Sequence, residues 1–339
     1  MKTSIFGTKK ILFFVILTVL LSCTSRKDKT LIIKGEAQGS TYGIKYISNS
    51  DENLKPAIDS ILEVIDMSMS TYRPESIISK INQGEKVKID SHFEKVFLAS
   101  QKIWQESEGL FDPTVGIFVN AWGFGKNKTQ NKLSQKEIDS LKNFVGFHKV
   151  RLTEEKYIEK ENPAIFFDFN AIAQGYTVDV IADFLKTKNI HNFIVEVGGE
   201  LFLSGKNTIE NKKWTIGIED PTLPSEKRDL ITTVKFENQG LATSGNYRKI
   251  WTDSLTGEKF VHSINPKTGL AKQSNLLSAT VITSSAMYAD GYATMFMVLG
   301  LEKTKSFLEH HPELNVLLVY NENNKVKTFM TKGFQELND

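Results

Sequence analysis

The residues best suited to chemistry lie in Asp168-Phe-Asn-Ala-Ile-Ala-Gln-Gly-Tyr-Thr-Val-Asp179. An apolar, strand-like segment, Ala164-Ile-Phe-Phe167, precedes this stretch, and Val178, Ile181, Ala182 and Leu185 follow at helical spacing. The pattern predicts Asp168 at a strand end and Gly175 near a helix start. A helix start offers unpaired backbone N–H groups and the positive end of the dipole, which suits a phosphate. A carboxylate beside it makes a metal–phosphate site. Read more plainly, the same stretch is a strand–loop–helix with a capping Asp or Asn.

Two further places carry polar groups in unexpected surroundings. Asp290 and Thr294 stand four residues apart in the otherwise apolar run Met287 to Leu299, so their oxygens share one helix face. A carboxylate there must be paired, metal-bound or at a wet helix end. A carboxylate with a hydroxyl suits Mg2+, which takes few protein ligands and completes its shell with water and phosphate. The alternative is that Asp290 caps its helix. His262, in Val261-His-Ser-Ile-Asn-Pro266, could transfer protons near neutral pH or serve as an ordinary hydrogen-bonding residue. Ser244-Gly-Asn246 and Asp112-Pro-Thr114 read as turns. Tyr72, Trp122 and Phe124 fall in loop-like contexts, where they could stack on a flat ring or cover a core edge.

The elements that must position these groups mix strands and helices. Leu31 to Ile47, interrupted by Gln38-Gly-Ser40, reads as a hairpin or two strands. Helices are expected over Asn53 to Met69, Ser76 to Ile81, His92 to Glu106, Ser134 to Asn143, the segment ending near Lys188, Met287 to Leu299 and Thr304 to His310. Ser134 and Glu137 form a capping-box pattern. Strands are expected at Val87 to Ile89, Val150 to Leu152, Ile165 to Phe167, Phe193 to Val197, Leu201 to Leu203, Trp214 to Ile218, Thr232 to Phe236, Gly240 to Ala242, Leu277 to Thr283, Val316 to Tyr320 and Val326 to Met330. Without a strict βαβ rhythm, the fold class is α+β rather than doubly wound.

The chain has 339 residues, 40% hydrophobic and 24% charged, which bounds it to one large or two ordinary globular domains. A net charge of +2 and no basic tract in the globular part give no reason to expect nucleic acid as a partner. The N-terminus reads differently. Lys2, Lys9 and Lys10 precede an apolar run, Ile11 to Leu21, and then Ser22-Cys23. This is a signal peptide over residues 1–22, too short for a comfortable membrane span. Cys23 is the sole cysteine, so no intramolecular disulfide can form. Its place after Leu-Leu-Ser resembles a bacterial lipobox; the plainer alternative is a secretory signal with a chance cysteine. A lipidated Cys23 would tether residues 31–339 through a polar linker, 23–30, in the cell envelope.

In chain order, several segments together resemble the ApbE family of FAD:protein FMN transferases. They are Gln38-Gly-Ser-Thr-Tyr42, Met69-Ser-Thr-Tyr-Arg73 with Ser76 and Asn82, Phe111 to Gly116 with Trp122-Gly-Phe-Gly125, and Asp168 to Asp179. The series continues through Val197-Gly-Gly-Glu200, Ile218 to Pro221, Thr243 to Arg248, His262 to Pro266 with Thr268-Gly269, and Ala289 to Thr294. The resemblance implies an ApbE-like, T-fold-related α+β domain of mixed sheets with packed helices. It implies Mg2+-dependent transfer of FMN from FAD to a threonine hydroxyl of an acceptor flavoprotein subunit, with release of AMP. It implies metal ligation by the Ala171 carbonyl, Asp290 and Thr294, and FAD contacts from Tyr72, Ala121, Trp122, Gly123, Asp168, Gln174, Asp220, Ser244 and His262. His262 and Asp290 become the catalytic residues, with His262 helping to deprotonate the acceptor threonine. An FAD pyrophosphatase and a flavin-binding lipoprotein without turnover are the alternatives. Lipid anchoring at Cys23 is expected on the periplasmic face of a bacterial inner membrane. The chain departs from the family pattern at Gln38, where methionine is usual, at Gln174, where lysine is common, at Ser40, where threonine is usual, and at Asn265, where aspartate is usual.

Overall fold

The structure, a computed structural model, describes residues 27–126, 132–223, 229–245, 250–252, 257–271 and 274–338. The signal segment, Cys23 and residues 246–248 of the Thr243-to-Arg248 motif lie outside these residues.

Strands β1 (Lys29–Ala37) and β2 (Ser40–Ser48) form the expected hairpin. Gln38 and Gly39 turn it at φ 52° and 72°, the left-handed pair that suits a two-residue hairpin loop. Helices α1 (Lys55–Met69), α2 (Ile77–Asn82), α3 (Ser91–Glu106), α4 (Gly116–Ala121) and α5 (Gln135–Lys142) follow. Ser76, Asp90 and Ser134 cap α2, α3 and α5, each accepting a backbone N–H three residues on, and Glu137 completes the capping box. A small ribbon, β3 (Val150–Leu152) and β4 (Ile158–Lys160), precedes α6 (Ala173–Thr187). Then come β5 (Phe193–Val197), β6 (Glu200–Ser204), a second ribbon of β7 (Ile216–Glu219) and β8 (Leu230–Val234), and β9 (Gln239–Gly245). A third ribbon, β10 (Ile250–Thr252) and β11 (Lys259–Val261), leads to β12 (Leu276–Thr283). The chain closes with α7 (Ala286–Leu299), α8 (Leu301–Glu309), β13 (Asn315–Glu322), β14 (Lys325–Met330) and α9 (Lys332–Leu337).

Eight strands form one sheet in the order β1-β2-β5-β6-β9-β12-β13-β14, and every neighbouring pair is antiparallel. This is the expected α+β class. Alternation along the strands builds two cores. Phe193, Val195, Val197, Ala279, Val281, Val316 and Leu318 face the layer of α1, α3, α6 and α7. Leu201, Leu203, Leu241, Ile282, Leu317 and Val319 face the other way, onto Trp214, Ile218, Val234, Phe236 and Phe334 of the β7–β8 ribbon, its flanks and α9.

Two expected strands are not strands. Ile165 to Phe167 contributes only an isolated bridge, Phe166 to Val115, and Val87 to Ile89 only Lys88 to Tyr157. Both segments are apolar enough for a sheet, but no long partner runs beside them. The turn expected at Ser244-Gly-Asn246 is overturned in its first part, because Ser244 and Gly245 end β9, paired with Ala279 and Ser278.

Candidate active site

The site is built where the starts of α6 and α7 meet. Gly175 makes the contact possible: a Cβ there would lie 2.3 Å from the Ala286 carbonyl oxygen and 2.8 Å from the Asp290 Cβ. The two helices then cap each other. Asp179 of α6 accepts the Ser285 hydroxyl (2.6 Å) and the N–H groups of Ala286 (2.9 Å) and Met287 (3.0 Å), at the start of α7. Asp290 of α7 accepts the Gly175 N–H, 3.1 Å away, at the start of α6. The alternative of Asp290 as its own helix cap is therefore corrected. Ser285 is the N-cap, and Asp290 lies in the second turn.

The Gly175 bond also settles a local need. As one of the first N–H groups of α6, it has no partner within the helix. Asp290 supplies that partner, while the carbonyl of the N-cap residue Ile172 accepts the Tyr176 N–H. Asp290 is 5% exposed and, among the described residues, accepts this one hydrogen bond. Burial pushes its carboxyl up to about 7. Thr294, one turn on, meets the Ser244 hydroxyl at 3.1 Å, so β9 is tied to the same helix face.

Asp168 stands before α6. Its N–H donates to the Pro113 carbonyl (2.8 Å), and its carboxylate accepts the Asn170 backbone N–H (2.7 Å) and side-chain amide (3.2 Å). Tyr72, 54% exposed in the turn between α1 and α2, is close enough that partial burial and the Asp168 charge together push its hydroxyl up. Gln174 lies over Gly198, whose added Cβ would be 2.4 Å from the Gln174 amide nitrogen. His262 follows β11, with its ring edge-on to Phe124 at 6.4 Å.

The loop reading of Trp122 is corrected. Its indole is 1% exposed, stacked on Phe260 (5.0 Å between centroids), and its N–H donates to the Gly269 carbonyl (2.9 Å). The apolar ring fills a local core with Phe118, Ile138 and Ile264, so the Trp122 indole itself is committed to packing. Asp220 is bound within its own turn, accepting the Thr222 N–H and hydroxyl, and it ends the ribbon that packs on the sheet face opposite α6 and α7. Sequence reasoning assigned no role to Asp179, although an acid one helical turn beyond Gly175 was there to be seen.

The oxygen groups that the structure brings to the helix junction are the Asp290 carboxylate and the Thr294 hydroxyl. Among the described residues no group of three or more His, Cys, Asp and Glu could hold a metal ion. An all-oxygen set with few protein ligands fits Mg2+ rather than a softer ion.

The chain is similar to known proteins in sequence and in fold. The sequence profile of the ApbE family matches residues 38–318. A Haemophilus influenzae protein named FAD:protein FMN transferase is 33% identical over 338 residues, 96% of this chain and 96% of its own length. A Vibrio cholerae protein of the same name is 31% identical over 94% of this chain and 95% of its own. The solved flavin transferase ApbE from Vibrio cholerae superposes with a TM-score of 0.81 at 30% identity, covering 92% of this chain and 100% of that one. The apo Pseudomonas stutzeri flavinyl transferase ApbE gives 0.82 at 30% identity, over 91% and 97%.

Proposed function

The chain belongs to the ApbE family, and on that premise we propose that it is an FAD:protein FMN transferase acting on a threonine hydroxyl of an acceptor flavoprotein subunit. The observation that carries this reading is the α6–α7 junction: a buried carboxylate that accepts one N–H among the described residues, with a hydroxyl one turn away on the same helix face. Asp290, Thr294 and the Ala171 carbonyl would hold Mg2+, which when bound neutralises charge on the pyrophosphate.

Phosphoryl transfer asks the protein mainly for positioning and charge neutralisation. Tyr72, Asp168, Gln174 and the backbone of Ala121 to Gly123 orient FAD. Ser244 and Asp220 enter as contacts implied by family resemblance. The acceptor threonine oxygen bonds to the FMN phosphorus. The bond from that phosphorus to the bridging oxygen breaks, and AMP leaves. His262 accepts the threonine proton. The start of α6 adds its dipole to the stabilisation of phosphate charge.

We further propose that Cys23 is lipidated and anchors the protein to a bacterial membrane, on the periplasmic face of the inner membrane. The lipobox-like Leu20-Leu-Ser-Cys23 supports this, and among the described residues no helix is long and apolar enough to cross a membrane. Cys23→Ser is expected to release the protein from the membrane fraction.

The test incubates the protein without its signal segment with FAD, Mg2+ and an acceptor protein bearing a flavinylatable threonine. The acceptor should gain the mass of one FMN residue, and AMP should appear in equal amount. AMP without acceptor modification would identify a pyrophosphatase instead. Bound FAD with neither product would identify a flavin-binding protein.

A further inference from the structure

We propose that Asn82 is a positioning residue for FAD, and that α2 is the spacer that sets Tyr72 against Asp168. The inference rests on the transferase reading for what the site binds, and on geometry for how the site is held. Asn82 is the last residue of α2. Its side-chain N–H donates to the Phe167 carbonyl (2.9 Å), and its side-chain oxygen accepts the Phe167 N–H (2.7 Å). One amide thus does for Phe167 what a neighbouring strand does in a ladder. This segment needs it, because among the described residues its one bridge is Phe166 to Val115. An unmet pair of buried backbone groups would cost free energy and order.

Phe167 is fully buried against Phe93 and Phe97, and the next residue is Asp168. From there the chain is held step by step. Asp168 N–H goes to Pro113, the Asp168 carboxylate takes Asn170 N–H, and the Phe169 carbonyl takes the N–H groups of Ile172 and Ala173, where α6 begins. The other end of α2 holds the Tyr72 turn. The Ser76 hydroxyl donates to the Ser70 carbonyl at 2.7 Å, and the Ser79 hydroxyl reaches the same oxygen at 3.3 Å. The Lys160 ammonium fastens the helix from below, donating to the carbonyls of Ile81, Pro163 and Ile165. A six-residue helix with a polar clamp at each end therefore separates an exposed aromatic ring from a carboxylate on a backbone with no sheet around it.

The experiment compares the unsubstituted protein with Asn82→Ala and with Phe334→Leu. The latter is a core substitution across the sheet that lowers stability without touching the loop. FAD affinity is read by flavin fluorescence with Mg2+ present, and backbone hydrogen exchange is read on the ligand-free proteins. Asn82→Ala should weaken FAD binding about tenfold or more, raise KM for FAD more than it lowers kcat, and speed exchange at Phe167 and Asp168. Phe334→Leu should leave both readouts unchanged. Asn82→Asp, which keeps an acceptor for the Phe167 N–H, should fall between the two and serves if Asn82→Ala does not fold. Unchanged FAD affinity in Asn82→Ala, or equal weakening in Phe334→Leu, would overturn the proposal. If the unsubstituted protein itself bound no FAD, the transferase reading would fail, and the exchange rates would still decide whether Asn82 holds the loop.

Discussion

Asp112, in the loop before α4, and Asp290, inside α7, are buried to nearly the same depth, 6% and 5% exposed. They are treated in opposite ways. Asp112 accepts the Thr114 N–H (2.8 Å), the Thr114 hydroxyl (2.6 Å) and the Phe147 N–H (2.8 Å). Thr114 in turn accepts the Gly146 N–H. That carboxylate is closed: it staples two loops together and leaves little for a ligand. Asp290 accepts a single N–H from Gly175. Burial raises both carboxyls, but Asp112 has three donors opposing the shift and Asp290 has one. A buried carboxylate used as scaffold is saturated by the protein. One kept for a cation is left short of partners.

The comparison can be broken most decisively at Asp290. Asp290→Asn should abolish FMN transfer, by on the order of a thousandfold or more if it removes the metal ligand, while the ligand-free protein becomes more stable at pH 8. Acceptor mass and thermal unfolding of the same preparation check both halves. The converse is expected of Asp112→Ala, which strands three donors and should destabilise the fold by about 3–5 kcal/mol in urea unfolding. A protein of ordinary stability that tolerated it would remove the distinction between the two acids.

The pH dependence sharpens the same contrast. The Asp290 carboxyl titrates at about 7 in the folded protein against an ordinary 3.8. The folded state therefore holds the extra proton between these values. The Asp290 contribution is favourable at low pH, declines as pH rises through that window, and is flat above it. The displacement corresponds to roughly 4 kcal/mol at most. The difference in urea midpoints between the unsubstituted protein and Asp290→Asn, measured in chelator, should grow from pH 4 to 7 in favour of the variant. Saturating Mg2+ should shrink it by binding the ionised form. The smallest effect is expected at Asp179, whose loss strands two N–H groups at the start of α7 while the Ser285 cap remains. Asp179→Ala should cost about 1–2 kcal/mol and weaken Mg2+ binding without eliminating it, read by titration calorimetry.

Much of the frame was legible along the chain, because helix and strand patterns are local. The turn at Gln38-Gly39, the capping box at Ser134, the α+β class and the shared face of Asp290 and Thr294 all follow from spacing within a few residues. The ordered motifs, and not any one of them, pointed to the family. The misreadings are equally physical. Ile165 to Phe167 has strand composition, but its partner is the Asn82 amide rather than a strand, and that residue lies 85 positions away. Trp122 looks like a loop aromatic until Phe260 closes over it. Ser244 reads as a turn residue until β12 arrives to pair with it.

What the sequence determined by itself was therefore the inventory: a carboxylate and a hydroxyl one turn apart, a glycine at a helix start, a histidine at a strand end. Only the tertiary structure decided their states. Whether Asp290 caps its own helix or reaches another depends on an approach so close that a Cβ at Gly175 would lie 2.3 Å from the Ala286 carbonyl oxygen, between helices more than a hundred residues apart. That approach gives an N–H without a partner in its own helix its acceptor in Asp290. Hydrogen-bond capacity is finite, and which groups consume it is settled by packing between distant segments, which no local pattern records.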